Sequence, residues 1–190
     1  MGLAVSTHFL ADMIKNDEEG AGWIRNSIEL VNTLLAEAGL PAHVEPTDVR
    51  TKMRPHVGSF PYSFLHYLRR AYAHVHEGAE LTPLAPGEDP TEDETVEDAS
   101  SMFDTHLLCH SDSEGYYVPI EFEDVIFDTE KRGLPGEMLG STQRLMAELL
   151  GSAPAIGIEV VNGVLPDEQV EAINNDRESA PFYRERLVWL

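Results

Sequence analysis

Two stretches of the chain place apolar residues at three- and four-residue steps, which is the spacing of an amphipathic helix. The first covers residues 19–38, with Trp23 on its apolar stripe, and the second covers residues 59–78. A glycine, Gly39 or Gly78, stands at the end of each stretch, where helices commonly terminate. We therefore expect two amphipathic helices in the first half of the chain.

A β-hairpin is expected in the second half. Residues 103–110 and 116–127 have the composition of extended strands, and a short polar segment that ends in Gly115 separates them. Pro119 cannot donate a ladder hydrogen bond, so the second strand should lie at the edge of a sheet. A loose alternation over residues 3–10 indicates a further strand.

The rest of the second half predicts one more helix, which Ser141 begins, and a short strand at residues 156–161. These elements together indicate an α+β fold in a single domain over residues 1–190. We expect a mixed or antiparallel sheet, with the hairpin at about 103–127, packed by several amphipathic helices.

Residues 79–98 combine several prolines with a dense run of carboxylates, and we call them the acidic segment. Like charges at this density repel one another and stay solvated. The segment is therefore expected to be an exposed connector, mobile and dispensable for folding over residues 87–98. The alternative is a docking segment for a basic partner.

Charge is the strongest feature of the composition, because 34 acidic residues stand against 13 basic ones and give a net charge of −21. Such a surface repels nucleic acid and anionic lipid, and it serves either solubility alone or attraction to a basic protein. The expected partner is a basic protein, with no nucleic acid and no membrane, and the chain is expected to be a monomer or homodimer.

The expected location is the cytoplasm. A lone cysteine, Cys109, excludes an internal disulfide bond and fits a reducing compartment. The sequence shows no secretory signal and no apolar run long enough to span a membrane.

A basic stripe is predicted on the second helix, because His66, Arg70 and His74 follow one another at four-residue steps. A stripe of this sign in so acidic a chain suggests a binding site for an anion or a carboxylate. The alternative is internal ion pairing with the acidic surface.

The richest group of chemically reactive residues is His106, Cys109, His110 and Asp112. On a helix the two histidines could share a zinc ion, but on a strand they lie about 13 Å apart, which is too far. With the strand favoured, Leu107 and Cys109 would face the core and the histidines would hydrogen-bond outside it. We therefore expect no metal and no cofactor, and no nucleotide-binding or nucleophile-elbow motif occurs.

The segments His106–Asp112 and Gly115–Pro119, followed by Gly140 and Ser141 before a leucine-rich helix, resemble small uncharacterised bacterial proteins. Some of those families are similar to immunity proteins or regulators. The resemblance lies in the second half of the chain and implies no particular activity.

Three functions remain open from the sequence. The leading hypothesis is a non-enzymatic, acidic, protein-binding protein of the immunity or regulator type. The alternative is a metal-dependent or Cys/His enzyme that uses His106, Cys109, His110 and Asp112, so whether the chain is an enzyme stays open. A nucleic-acid mimic is the third, and it requires carboxylates arranged in paired rows.

Overall fold

The computed structural model describes residues 2–4, 9–47, 59–61, 63–85, 87–102, 104–109, 115–169 and 171. Its α-helices are α1 Phe9–Asn16, α2 Glu18–Glu37, α3 Ser63–His76, α4 Glu94–Ser101, α5 His106–Cys109 and α6 Thr142–Ser152. Its strands are β1 Gly2–Ala4, β2 Ser59–Pro61, β3 Tyr116–Val118, β4 Ile126–Phe127 and β5 Met138–Ser141. Short 3₁₀ turns lie at Pro90–Glu92, Pro135–Glu137 and Ala153–Ile156.

The strands form two small sheets. Strands β1 and β2 pair antiparallel, and the other sheet has the order β3-β5-β4, with β5 parallel to β3 and antiparallel to β4. This arrangement confirms the mixed α+β class and places β3 at an edge, as Pro119 indicates. The expected hairpin between residues 103–110 and 116–127 is wrong, because the first of these runs contains the helix α5 and the second contains two short strands, β3 and β4, that both pair with β5.

Helix α2 confirms the first predicted helix and buries Val31 and Leu34 of the predicted stripe, but it leaves Trp23 outside the core. Ala21, Ile24 and Leu35 are buried, whereas Trp23 is 56% exposed. The inner face of α2 packs on β3 and β5 in a core that joins Val31, Leu34, Leu35, Val118, Phe122, Leu134 and Leu139. The helix ends as predicted, with Gly39 at a φ of 72°.

A second core lies among the helices that follow the first sheet. Helices α3, α4 and α5 share buried residues that include Tyr72, Val96 and Leu107, and the half-buried Leu145 and Leu149 of α6 pack against them. Strand β5 is buried along its whole length and leads directly into α6, whose N-cap is Ser141 as predicted. The sheet therefore positions α6 against the helical core.

The acidic segment is only in part the connector that the sequence predicts. Its second half forms the 3₁₀ turn Pro90–Glu92 and most of α4, and Pro90, Val96 and Ala99 are buried. Val96 and Ala99 stand three residues apart and face α3, so an apolar face is present beneath the carboxylates. Charge repulsion does not prevent helix formation here, because the carboxylates point to solvent.

Several other expected elements need correction. Residues 103–110 contain the helix α5 in place of a strand, and α3 begins at Ser63, after the short strand β2. The strand expected at residues 3–10 covers Gly2–Ala4, and α1 begins at Phe9. Residues 156–161 form no strand, although Val161 makes one isolated bridge. Within the described residues, no helix is long and apolar enough to cross a membrane.

Because one face of α4 is buried, we expect this part of the acidic segment to contribute to the stability of the fold. The sequence had predicted that residues 87–98 are dispensable for folding. Replacing residues 88–98 with a Gly/Ser linker of equal length should lower the melting temperature by more than about 8 °C, because buried apolar area and a buried ion pair are lost together. Thermal unfolding followed by circular dichroism measures this change.

The matched control keeps the helix and removes charge only, as Glu94→Gln, Glu97→Gln and Asp98→Asn combined. We expect its melting temperature to stay within about 3 °C of the natural chain. An unchanged melting temperature in the linker variant would show that α4 contributes nothing to stability.

Candidate functional site

Two cationic residues of α3 meet one carboxylate of the acidic segment. Nε of Arg70 donates to Oδ2 of Asp93 at 2.6 Å, and Nε2 of His74 lies 3.0 Å from the same oxygen. The three side chains are 3%, 13% and 8% exposed for Arg70, Asp93 and His74, respectively. We call this group the Asp93 clasp, and it fastens α4 to α3.

Asp93 also begins α4, because its Oδ1 accepts the backbone N–H of Thr95 at 2.9 Å. Burial alone would raise the pKa of Asp93. The hydrogen bonds from His74 and Arg70, the charge of His74 and the N–H of Thr95 outweigh that effect and hold the pKa at about 2. The carboxylate is therefore ionised at neutral pH.

His74 attaches the acidic segment at a second point. Its Nδ1 lies 2.9 Å from the backbone carbonyl oxygen of Glu80, while its Nε2 faces Asp93. Both partners are acceptors, so both hydrogen bonds form together only when the ring carries two protons. Residues on both sides of the intervening loop are thereby held against α3.

Most carboxylates of the acidic segment point to solvent, in contrast to Asp93. The exposed ones between residues 88 and 98 are Glu88, Asp89, Glu92, Glu94, Glu97 and Asp98. On α4, the three exposed carboxylates stand at positions i, i+3 and i+4 and therefore share one face. A cleft of about 460 Å³ runs beside the Asp93 clasp, and carboxylates line it. The outer face of the segment is a concentrated negative surface.

The cationic residues lie in a different environment from the carboxylates. Arg70 is buried in the clasp, and the half-buried Arg132 lies 2.8 Å from both Glu37 and Glu130. Among the lysine and arginine side chains that the structure describes, Arg25 and Lys131 are exposed, and the side chain of Arg144 is 43% exposed and lies 4.0 Å from a carboxylate oxygen of Glu123. The described surface is therefore more uniformly negative than the composition alone indicates.

His106 is a buried structural residue. It is 1% exposed, its Nδ1 accepts the backbone N–H of Ser141 at 3.1 Å, and its Nε2 donates to the carbonyl oxygen of Glu123 at 3.0 Å. The ring also packs at an angle against Phe122. Both nitrogens are thus engaged with the backbone of the neighbouring sheet and loop.

The short helix α5 is held by residues from distant parts of the chain. The carboxylate of Glu148 accepts the backbone N–H groups of His106 and Leu107, both at 2.8 Å. Tyr117 donates its hydroxyl hydrogen to the carbonyl oxygen of His106 at 2.6 Å, and Arg69 donates to the carbonyl oxygen of Leu108 at 2.8 Å. These contacts stabilise four residues that would not form a helix alone.

The geometry gives no support to a Cys/His enzyme in this region. Burial raises the pKa of the Cys109 thiol, with smaller contributions from neighbouring charges, whereas a nucleophilic cysteine needs a lowered pKa. His110 and Asp112 lie outside the described residues. Within the described ranges, no group of three or more histidine, cysteine or carboxylate side chains is placed to hold a metal ion.

The structure does not bring the predicted site residues into one group. Arg70 and His74 meet at the Asp93 clasp, His66 lines a separate cavity on the same helix, and His106 lies in the core beside β5. Whether any of them binds a partner stays a prediction. The face argument for Leu107 and Cys109 is wrong, because α5 buries His106, Leu107 and Leu108 and leaves Cys109 half-buried.

Sequence analysis missed Asp93 as the central residue. A signal was available, since Asp93 precedes a Glu-Thr pair and the apolar residues Val96 and Ala99 at helical spacing. Glu148 was also missed, and no local pattern links it to α5, which lies about 40 positions earlier in the chain.

The Asp93 clasp should make stability depend on pH in the acid range. The folded pKa of about 2 lies below the ordinary value of 3.8, so this stabilisation is complete above pH about 4 and falls as the pH drops toward 2. The difference in unfolding free energy between the natural chain and Asp93→Asn should therefore shrink from pH 7 to pH 3. Urea unfolding measures it. The matched variant Asp98→Asn should show a small difference at every pH, and a constant difference for Asp93→Asn would contradict the role of the clasp.

The buried ring of His106 should matter for stability, contrary to its expected place outside the core. His106→Gln cannot replace both ring hydrogen bonds and should lower the unfolding free energy by about 2 kcal/mol or more. The more exposed His76→Gln should change it by less than about 0.5 kcal/mol. Equal urea midpoints for the two variants would argue against this assignment.

Comparison with known proteins gives one positive result. Neither the search of curated proteins nor the search of solved structures found a match. A family model matches the chain over residues 1–190.

The family description refers to imitation of DNA, and it corrects the partner expectation. The sequence predicted a basic protein as the partner and no nucleic acid. Imitation of a nucleic acid was the third of the three functions that it left open. A description as a DNA mimic instead suggests DNA-binding proteins, a narrower class than basic proteins in general. Because the model spans all 190 residues, the chain belongs to the family described as "Putative DNA-mimic protein".

Proposed function

We propose that the protein binds a DNA-binding protein by presenting the outer face of α4 and the adjoining 3₁₀ turn in place of a DNA strand. The observation that carries this proposal is the face of exposed carboxylates from Glu88 to Asp98, which the Asp93 clasp holds on a helical support. The family to which the chain belongs supports the same conclusion.

The mean spacing of charge on α4 is close to that of a nucleic acid. An α-helix rises about 1.5 Å per residue, so the eight residues of α4 extend about 12 Å. The three exposed carboxylates, at positions 94, 97 and 98, lie about 4.5 Å and about 1.5 Å apart along the axis, which is a mean of about 3 Å per charge. One strand of duplex DNA carries one charge per about 3.4 Å of helix axis. The mean density of charge along this helix is therefore similar to that of one DNA strand, although its two intervals are unequal.

Fixed geometry distinguishes this surface from a solvated acidic tail. Asp93 caps α4, Asp89 accepts the N–H of Thr91 at the start of the 3₁₀ turn, and Val96 anchors the inner face. The charges are thus ordered before a partner arrives, which lowers the entropy cost of binding.

The burial and pairing of cationic side chains also favour the binding of a basic partner. A basic partner meets few like charges on the described surface, since Arg70 is buried and Arg132 is paired with carboxylates. A field of one sign accelerates the encounter between oppositely charged proteins and weakens as salt is added.

Competition with DNA tests the proposal. The immobilised chain is incubated with a lysate of the source organism at low salt, and retained proteins are eluted with duplex DNA. We expect the DNA eluate to be enriched in DNA-binding proteins, each of which should also bind the chain after purification. The α4 variant with Glu94→Gln, Glu97→Gln and Asp98→Asn should bind such a partner at least about tenfold more weakly, because three charge-assisted contacts are lost.

The matched control removes three charges elsewhere, as Glu29→Gln, Glu121→Gln and Glu159→Gln, all at exposed positions. It has the same net charge as the α4 variant and should bind within about threefold of the natural chain. Equal weakening of both variants would show attraction by net charge alone. Retained proteins that DNA does not displace would contradict the proposed function.

A further inference from the structure

A cavity of about 200 Å³ lies between α3, the 3₁₀ turn at Pro90–Glu92 and α4. His66 and Arg69 line it from α3, and Glu97 and Ser100 line it from α4. It lies on the inner side of the acidic segment, apart from the Asp93 clasp, which faces the other cleft. The volume is sufficient for a small polar molecule.

Arg69 gives this cavity its chemistry. Its Nη2 donates to the carbonyl oxygen of Leu108 at 2.8 Å and makes a long contact of 3.4 Å with Oγ of Ser100, so the guanidinium group is held in place. Its Nε is buried and has no hydrogen-bond partner among the described residues. No described carboxylate forms an ion pair with Arg69, whereas the neighbouring Arg70 is paired with Asp93.

A buried N–H of a charged group without an acceptor is unfavourable, and an oxygen acceptor with negative charge satisfies it best. Glu97 lines the same cavity but is exposed and makes no ion pair with Arg69. We propose that this cavity binds a small oxyanion such as phosphate, with the guanidinium group of Arg69, which lines the cavity, as the central donor and the hydroxyl of Ser100 as a second donor.

The large negative charge of the protein does not exclude an anion here. At physiological ionic strength charges interact over about 8 Å, so distant carboxylates are largely screened. The balance is set by the charges that line the cavity, where Arg69 stands against Glu97. Removing the charge of Glu97 should accordingly strengthen anion binding.

A bound oxyanion would bridge α3 and α4, because the proposed donors lie one on each helix. A ligand that binds only the folded chain raises its stability by RT ln(1 + L/Kd), where L is the free ligand concentration. The anion thereby reinforces the attachment of α4 that the clasp provides. This inference stands whether or not the chain binds a DNA-binding protein.

The test uses inorganic phosphate at pH 7, with sodium chloride adjusted to keep the ionic strength constant. We expect saturable binding by calorimetry and a rise in melting temperature of about 3 °C at ten times the dissociation constant. Sulfate and acetate in parallel titrations separate a preference for tetrahedral oxyanions from one for carboxylates. A rise equal to that in chloride alone, with no saturable heat, would overturn the proposal.

Variants locate the site. Arg69→Gln should abolish phosphate binding, and Glu97→Gln should tighten it by about threefold, while Glu94→Gln, which lies on the same helix but does not line this cavity, should leave it unchanged. Arg69 also holds α5, so the Arg69→Gln variant can fail to fold. In that case the comparison of phosphate affinity between Glu97→Gln and Glu94→Gln tests the location of the site. Phosphate affinity that is the same in Glu97→Gln and Glu94→Gln would overturn the proposed location.

Discussion

The contact of Asp93 with Arg70 and His74 is the interaction on which the acidic segment depends. A run of carboxylates repels itself and has little reason to form a helix on a surface of the same sign. Turning one carboxylate inward changes that balance, because it meets two cationic residues and caps the following helix at the same time. A buried ion pair contributes little net stability, but breaking it is costly, so it specifies where the segment lies.

With the acidic segment held in place, the cationic and anionic side chains lie on opposite sides of α4. The cationic side chains of α3 are used beneath α4, and the carboxylates of α4 are left above it. Net charge alone describes solubility, whereas this separation produces a surface of one sign with a defined shape. The proposed imitation of DNA depends on that difference, since a partner that binds DNA recognises phosphates at regular positions.

The sequence predicts those elements that carry their own local signals. Helix α2 has an apolar stripe and ends at Gly39, and α6 has a serine N-cap, so both are found. Helix α4 is missed because its carboxylates and the preceding Pro90 resemble a loop, while its apolar face consists of Val96 and Ala99 alone. The α+β class is predictable, but the sheet is not, because residues 103–110 contain α5 and the strand that pairs with both β3 and β4 is β5, from a later part of the chain.

The candidate site is harder to predict for the same reason. The basic stripe on α3 is visible at four-residue spacing, yet the residue that unites Arg70 and His74 comes from a segment that looks disordered. Helix α5 is a clearer case, since Glu148, Tyr117 and Arg69 hold its ends from three separate elements. The polar turn and the strand-like run that follow favour an extended segment there, and the tertiary hydrogen bonds instead stabilise a helix.

Repulsion among the exposed carboxylates of α4 connects this fold with the proposed function. The exposed carboxylates on α4 raise the free energy of the folded chain, because like charges at neighbouring positions on a helix repel one another. The proposed basic partner would remove that repulsion on binding, and the proposed oxyanion beneath α4 would strengthen the support from the other side. Binding a positive surface therefore stabilises a fold that its own charge strains, while the Asp93 clasp keeps the charges in place until the partner arrives.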